Sequence, residues 1–127
     1  GEEVRGKRVA LLGVTFKPNT DDMRDSPSLA IAQTLIDAGV DVTAYDPEGM
    51  EIAGPLMPEV AMKPNAYAAI EGADAVVIVT EWDAFRALDL DRVKRIANAS
   101  VLVDLRNVYE PREVRAAGFD YVSIGRV

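Results

Sequence analysis

Apolar positions along this chain recur at two periods, one that suits strands and one that suits helices. Short runs rich in β-branched residues stand at "RVALLGV" (8–14), "VDVTAYD" (40–46), "DAVVIVT" (74–80), "SVLVDL" (100–105) and "DYVSIG" (120–125), and each reads as a strand. Between them lie amphipathic segments. The clearest begins at Ser26 and Pro27, a hydroxyl cap followed by a proline in the first turn. It carries Leu29, Ile31, Ala32, Leu35 and Ile36 on one face and closes at Gly39. "NAYAAIEGA" (65–73), "DRVKRIAN" (91–98) and "PREVRAAG" (111–118) read as shorter helices. The stretch 48–64 holds three of the seven prolines and shows no period, so it reads as a loop with one short helical turn.

Strands that are apolar throughout and alternate strictly with helices imply parallel strands buried on both faces. The expected architecture is a doubly wound, Rossmann-like α/β sheet of about five strands with helices on both faces, one domain spanning 1–127. In such a sheet ligands bind beyond the carboxyl ends of the strands. That rule selects the loops 14–26, 46–49, 80–83 and 105–110.

Composition narrows the chemistry. A net charge of −7 argues against a nucleic acid or an anionic membrane as partner. No apolar run approaches the roughly 20 residues of a membrane span, and no signal peptide opens the chain, so a cytoplasmic protein is expected. The chain has no cysteine and no histidine. Thiolate nucleophiles and a histidine base are therefore excluded, zinc loses its usual ligands, and neither a catalytic residue nor a metal site is expected.

The selected loops are nevertheless polar. "GVTFKPNTDDMRDSPS" (13–28) places Lys17 four residues after Gly13 and Arg24 two before Ser26. Both cations fall at the mouth of the sheet, beside the positive end of the following helix, where anions and phosphates bind. Asp21, Asp22 and Asp25 could hold them in position or order the loop, and a merely solvated loop with internal ion pairs is the competing reading. Phe16 could stack on a flat ring or plug the core. There is no G-x-G-x-x-G after the first strand, so a self-sufficient NAD-binding domain is disfavoured. Asp46 stands where such domains hold ribose, but reads better as a cap or turn residue. Trp82 and Phe85, three apart in "TEWDAF" (80–85), read first as packing and second as ligand contacts. "DLRN" (104–107) brings Arg106 to the same mouth; nothing in the spacing of Glu81 and Asp104 supports acid–base work by that carboxylate pair, and counter-ion duty for Arg106 is their default role.

Taken in order, "GVTFKPNTDDMRDSPS", "YDP", "TEW..F" and "DLRN" make the chain resemble the carboxyl-terminal domain of the UDP-glucose/GDP-mannose dehydrogenase family, from about Gly6 to Arg126. The resemblance is nearest to members acting on UDP-glucose, with UDP-N-acetyl sugars and GDP-mannose as alternatives. It implies an enzyme that oxidises the C6 alcohol of a nucleotide-sugar to a carboxylate with NAD. An amino-terminal NAD-binding domain and a central dimerisation domain would complete a homo-oligomer, and this chain alone would be inactive. It further implies that Phe16, Lys17 and Arg106 contact the UDP-sugar and that Arg24 reaches NAD across the interdomain cleft. Two other readings compete: a freestanding, non-catalytic nucleotide-binding module, and an interaction domain whose cations bind acidic partners.

Overall fold

Short strands of branched aliphatic residues, each returned to the same edge by a helix, build a single parallel sheet. The computed structural model describes residues 6–14, 27–80 and 82–123, and of Pro27 and Ile52 the backbone only. The strands are β1 (Arg8–Leu12), β2 (Asp41–Tyr45), β3 (Ala61–Met62), β4 (Ala75–Ile78), β5 (Val101–Asp104) and β6 (Asp120–Ser123). They lie in the order β3-β2-β1-β4-β5-β6, every neighbouring pair parallel. The helices are α1 (Pro27–Asp37), α2 (Met50–Leu56), α3 (Ala66–Ile70), α4 (Asp83–Arg86), α5 (Leu90–Ile96) and α6 (Pro111–Ala116). The doubly wound, Rossmann-like fold expected from the alternation is thus present.

The difference lies within 48–64. That stretch forms α2 and the sixth strand, β3, which pairs only Ala61 with Thr43 and Met62 with Ala44 at the sheet edge. Neither element leaves a period to read. A two-residue strand has no alternation, and Gly54 and Pro55 stop α2 after seven residues.

Local signals set the other boundaries. Asn65 caps α3 by accepting from the Ala68 N–H at 2.8 Å. Asp89 caps α5 through the N–H groups of Asp91 and Arg92, and Pro111 occupies the first turn of α6. At the end of α1, Gly39 takes φ +85°. The Val40 N–H then returns to the Leu35 carbonyl at 3.0 Å and the Gly39 N–H to Ile36 at 3.0 Å.

Two apolar layers flank the sheet. On one face Ala10, Val76, Leu102 and Tyr121 pack with Ile70, Phe85, Val93 and Val114, so α3, α4, α5 and α6 all cover this side. On the other face Leu11, Val42 and Ala44 pack with Ala32 of α1 and with Ala53 and Met57 at α2. Among the described residues no helix is long and apolar enough to cross a membrane.

A candidate ligand-binding edge

The carboxyl ends of β1, β2 and β4 are tied together by one buried carboxylate. Asp46, which follows β2, is fully buried. Its Oδ1 accepts from the N–H of Glu48 at 2.9 Å and of Gly49 at 2.8 Å. Its Oδ2 accepts from the Val14 N–H at 2.8 Å and from the Trp82 indole N–H at 3.3 Å. The turn role expected for Asp46 is present, and a second, long-range role is added to it. Each donor is a polar group that burial would otherwise leave costly.

Close packing reinforces the junction. Gly13, just past β1, takes φ +93°, and a Cβ placed there would stand 2.6 Å from the Thr80 Cβ and 2.8 Å from the Thr80 backbone nitrogen. Its own N–H donates to the Tyr45 carbonyl at 2.8 Å. The Ser28 hydroxyl donates to the Val14 carbonyl at 2.6 Å, which closes the chain on itself across residues 15–26. Phe16, Lys17 and Arg24 belong to that segment and lie outside the described residues, as do Ser26 and Glu81. Both flanks of the segment are fixed at the carboxyl edge of β1.

Trp82 and Phe85 are core residues, as their spacing suggested. Both are buried, and the Phe85 ring meets Tyr45 edge-on with centroids 6.4 Å apart. They shape the edge from beneath.

A second buried carboxylate organises the loop after β5. Asp104 Oδ1 accepts from the Arg106 N–H at 3.1 Å, and Oδ2 from the Tyr109 N–H at 3.0 Å and the Tyr121 hydroxyl at 2.7 Å. Asp104 therefore serves the backbone of the Arg106 loop and the Tyr121 hydroxyl, a role the default counter-ion reading did not include, while Glu81, the other carboxylate of that reading, lies outside the described residues. Arg106 is half-buried at this edge, next to Asn107 with φ +55°. The roles of Tyr109 and Tyr121 left no trace in the sequence pattern, because Tyr121 meets Asp104 from 17 residues away.

The Tyr109 hydroxyl donates to the Phe85 carbonyl. Burial, helped by the nearby Asp104 charge, pushes the Tyr109 phenol well above the ordinary tyrosine value. A raised folded value means that its contribution to stability is complete below about pH 10, the unfolded value, and is lost as pH climbs from there toward the folded one. Tyr109→Phe should accordingly lower stability at neutral pH by about 1 kcal/mol, the worth of one hydrogen bond. It should also flatten the alkaline limb of a Tm series. A limb of unchanged steepness would refute the assignment.

This edge does not fit NAD in the way a Rossmann turn would. The single glycine after β1 opens toward Thr80 rather than toward a ligand, since Thr80 fills the space of its missing Cβ. The acidic residue after β2 is buried under four donors and offers no face to a ribose. What the described edge provides is a frame that fixes Val14 and Ser28, either side of residues 15–26, and that carries the 105–109 loop.

The chain belongs to the UDP-glucose/GDP-mannose dehydrogenase family, whose UDP binding domain matches residues 10–111. It is 56% identical over 126 residues to a UDP-glucose 6-dehydrogenase of Rhizobium meliloti, covering 99% of this chain and 29% of that protein. It is 41% identical to the UDP-glucose 6-dehydrogenase of Pseudomonas aeruginosa, covering 96% and 28%. Among solved structures, the NDP-N-acetyl-D-galactosaminuronic acid dehydrogenase of Methanosarcina mazei superposes with a TM-score of 0.86 at 33% identity, over 99% of this chain and 26% of that one. The chain thus spans less than a third of the length of the relatives it matches.

Proposed function

We propose that this chain is the carboxyl-terminal, UDP-sugar-binding domain of a cytoplasmic, NAD-dependent UDP-glucose 6-dehydrogenase that oxidises UDP-glucose to UDP-glucuronate. The observation that carries this reading is the 56% identity to such an enzyme across nearly the whole chain. The buried frame supports it, because Asp46 and Asp104 spend their carboxylates on backbone and aromatic donors and so hold Val14 and the 105–109 loop at one edge. On that frame Phe16 and Lys17 would meet the UDP-sugar, and Arg106 would neutralise its diphosphate through a charge-assisted fork. NAD would be held by the amino-terminal part of the enzyme, with Arg24 reaching it across the cleft. The central part would supply the reacting groups and join subunits into a homo-oligomer. The chain itself has neither cysteine nor histidine for that task.

The test is a steady-state assay of the complete enzyme against UDP-glucose, a UDP-N-acetyl sugar and GDP-mannose. UDP-glucose should give the highest kcat/KM, and preference for another nucleotide-sugar would overturn the assignment. In the same assay Arg106→Ala should raise KM for UDP-glucose about ten- to a hundredfold, as for loss of one charge-assisted contact. Its Tm should stay nearly constant. A large fall in Tm with unchanged KM would place Arg106 in the fold rather than on the ligand.

A further inference from the structure

One register row crosses five strands of the sheet and loses its cover along the way. Ala44, Leu11, Val77, Val103 and Val122 are successive partners on β2, β1, β4, β5 and β6. Ala44 and Leu11 are fully buried beneath the α1–α2 layer. Val77 and Val103 are half-buried, and Val122 is 54% exposed. The adjacent row on the opposite face, Thr43, Ala10, Val76, Leu102 and Tyr121, is buried from end to end. Among the described residues, then, one half of one sheet face lies open, and it presents valines with the exposed Asp120 at its β6 border. Val101, half-buried on β5, adds to it.

An all-parallel sheet is ordinarily covered on both faces, because its strands are apolar on both. The strand order explains the gap. Right-handed connections that step from β1 to β2 and from β2 to β3 put α1 and α2 on one face, while those stepping from β3 through β6 put the remaining helices on the other. No connection among the described residues brings a helix over β4, β5 and β6 on the α1 side. Strands spaced about 4.8 Å apart make that gap about 10 Å from β4 to β6, roughly the diameter of one helix.

We propose that in the complete polypeptide one amphipathic helix from outside this chain lies across β4, β5 and β6 on the α1 side. It would seat branched aliphatic residues against Val77, Val103 and Val122. The occupant belongs to the same polypeptide because relatives carry more than two thirds of their length outside the matched region. The open row is also a direct continuation of the domain core, the composition of a permanent contact rather than a transient one. A second copy is disfavoured by the net charge of −7 that two such domains would bring together.

The chain has no cysteine, so Val122→Cys and Val103→Cys introduce thiols at known places in this domain. In the complete enzyme each is labelled with a maleimide, read by peptide mass spectrometry and compared with the same variant in denaturant. The expected result is labelling slowed at least about a hundredfold at every protein concentration, as for a group released only by local opening. Labelling near the denatured rate would overturn the proposal. Protection that disappears on dilution would also overturn it, by assigning the face to a second copy. The proposal shares with the functional reading the placement of this chain in a larger dehydrogenase, and assaying UDP-glucose oxidation on the same samples separates the two. Free labelling in an active enzyme sinks only the helix, and full protection in a protein inactive on UDP-glucose sinks only the function.

Discussion

Gly13→Ala should destabilise the fold by about 2–5 kcal/mol. Two costs add there. An alanine held at φ +93° loses about 1–2 kcal/mol against the left-handed region alone. The new methyl would also stand 2.6 Å from the Thr80 Cβ and 2.8 Å from the Thr80 nitrogen. The second neighbour is backbone, so no rotamer change clears it, and overpacking of this kind costs about 1–3 kcal/mol. Gly6 supplies the control. It too has a positive φ, +81°, but nothing lies within 4 Å of where its Cβ would stand, so Gly6→Ala should cost only about 1–2 kcal/mol. Urea titration of both variants measures the difference, which isolates the close approach of β1 to the residue after β4. Equal midpoints would show that Thr80 yields and that Gly13 is needed for its backbone angle alone.

Asp46→Asn should cost about 2–4 kcal/mol although it changes one atom. The carboxylate accepts on both oxygens, from two amides on one side and from an amide and an indole on the other. An asparagine has one oxygen, so its NH₂ must face one of those donor pairs. Either orientation leaves buried N–H groups unsatisfied at about 1–3 kcal/mol each. Trp82 is the only tryptophan in the chain, so the intrinsic emission of this domain reports on one of the four donors directly. Thermal melts followed by that emission should show an earlier transition and a changed native spectrum. A native spectrum identical to the parent's, with an unchanged midpoint, would mean that Asp46 is not the junction described. On the proposed function, the same variant in the complete enzyme should also raise KM for UDP-glucose, because Val14 leads directly into the segment that carries Phe16 and Lys17.

Much of the architecture was legible because it is written in short-range signals. The strand at 74–80 announces itself by composition, and the starts of α3 and α6 by Asn65 and Pro111. β3 was not legible, since two residues at a sheet edge owe their conformation to the neighbouring β2 rather than to themselves. The candidate site divides in the same way. That loops at the carboxyl edge matter follows from topology, and the packing role of Trp82 and Phe85 from their spacing. That Asp46 joins Val14 to Trp82 could not be read, because those partners lie 32 and 36 residues away and a lone aspartate after a strand signals only a turn. The same holds for Asp104, whose neighbour Arg106 suggested an ion pair while the fold uses the carboxylate for backbone amides.

The position of β1 has a consequence for how the molecule is made. Within this domain, the first of the described strands to be synthesised is a central one, flanked in the finished sheet by β2 and β4. The β2 side can form early, but the Arg8 amide must wait for the Asp74 carboxylate, 66 residues downstream, and Val9 for its partner Ala75. Until then an apolar strand edge stands bare in the nascent chain. Such long-range parallel pairing is intrinsically slow and exposes the intermediate to aggregation. Synthesis that stalls before residue 80 should therefore leave a sticky half-sheet, and chaperone capture should peak over that window and fall once β4 has docked.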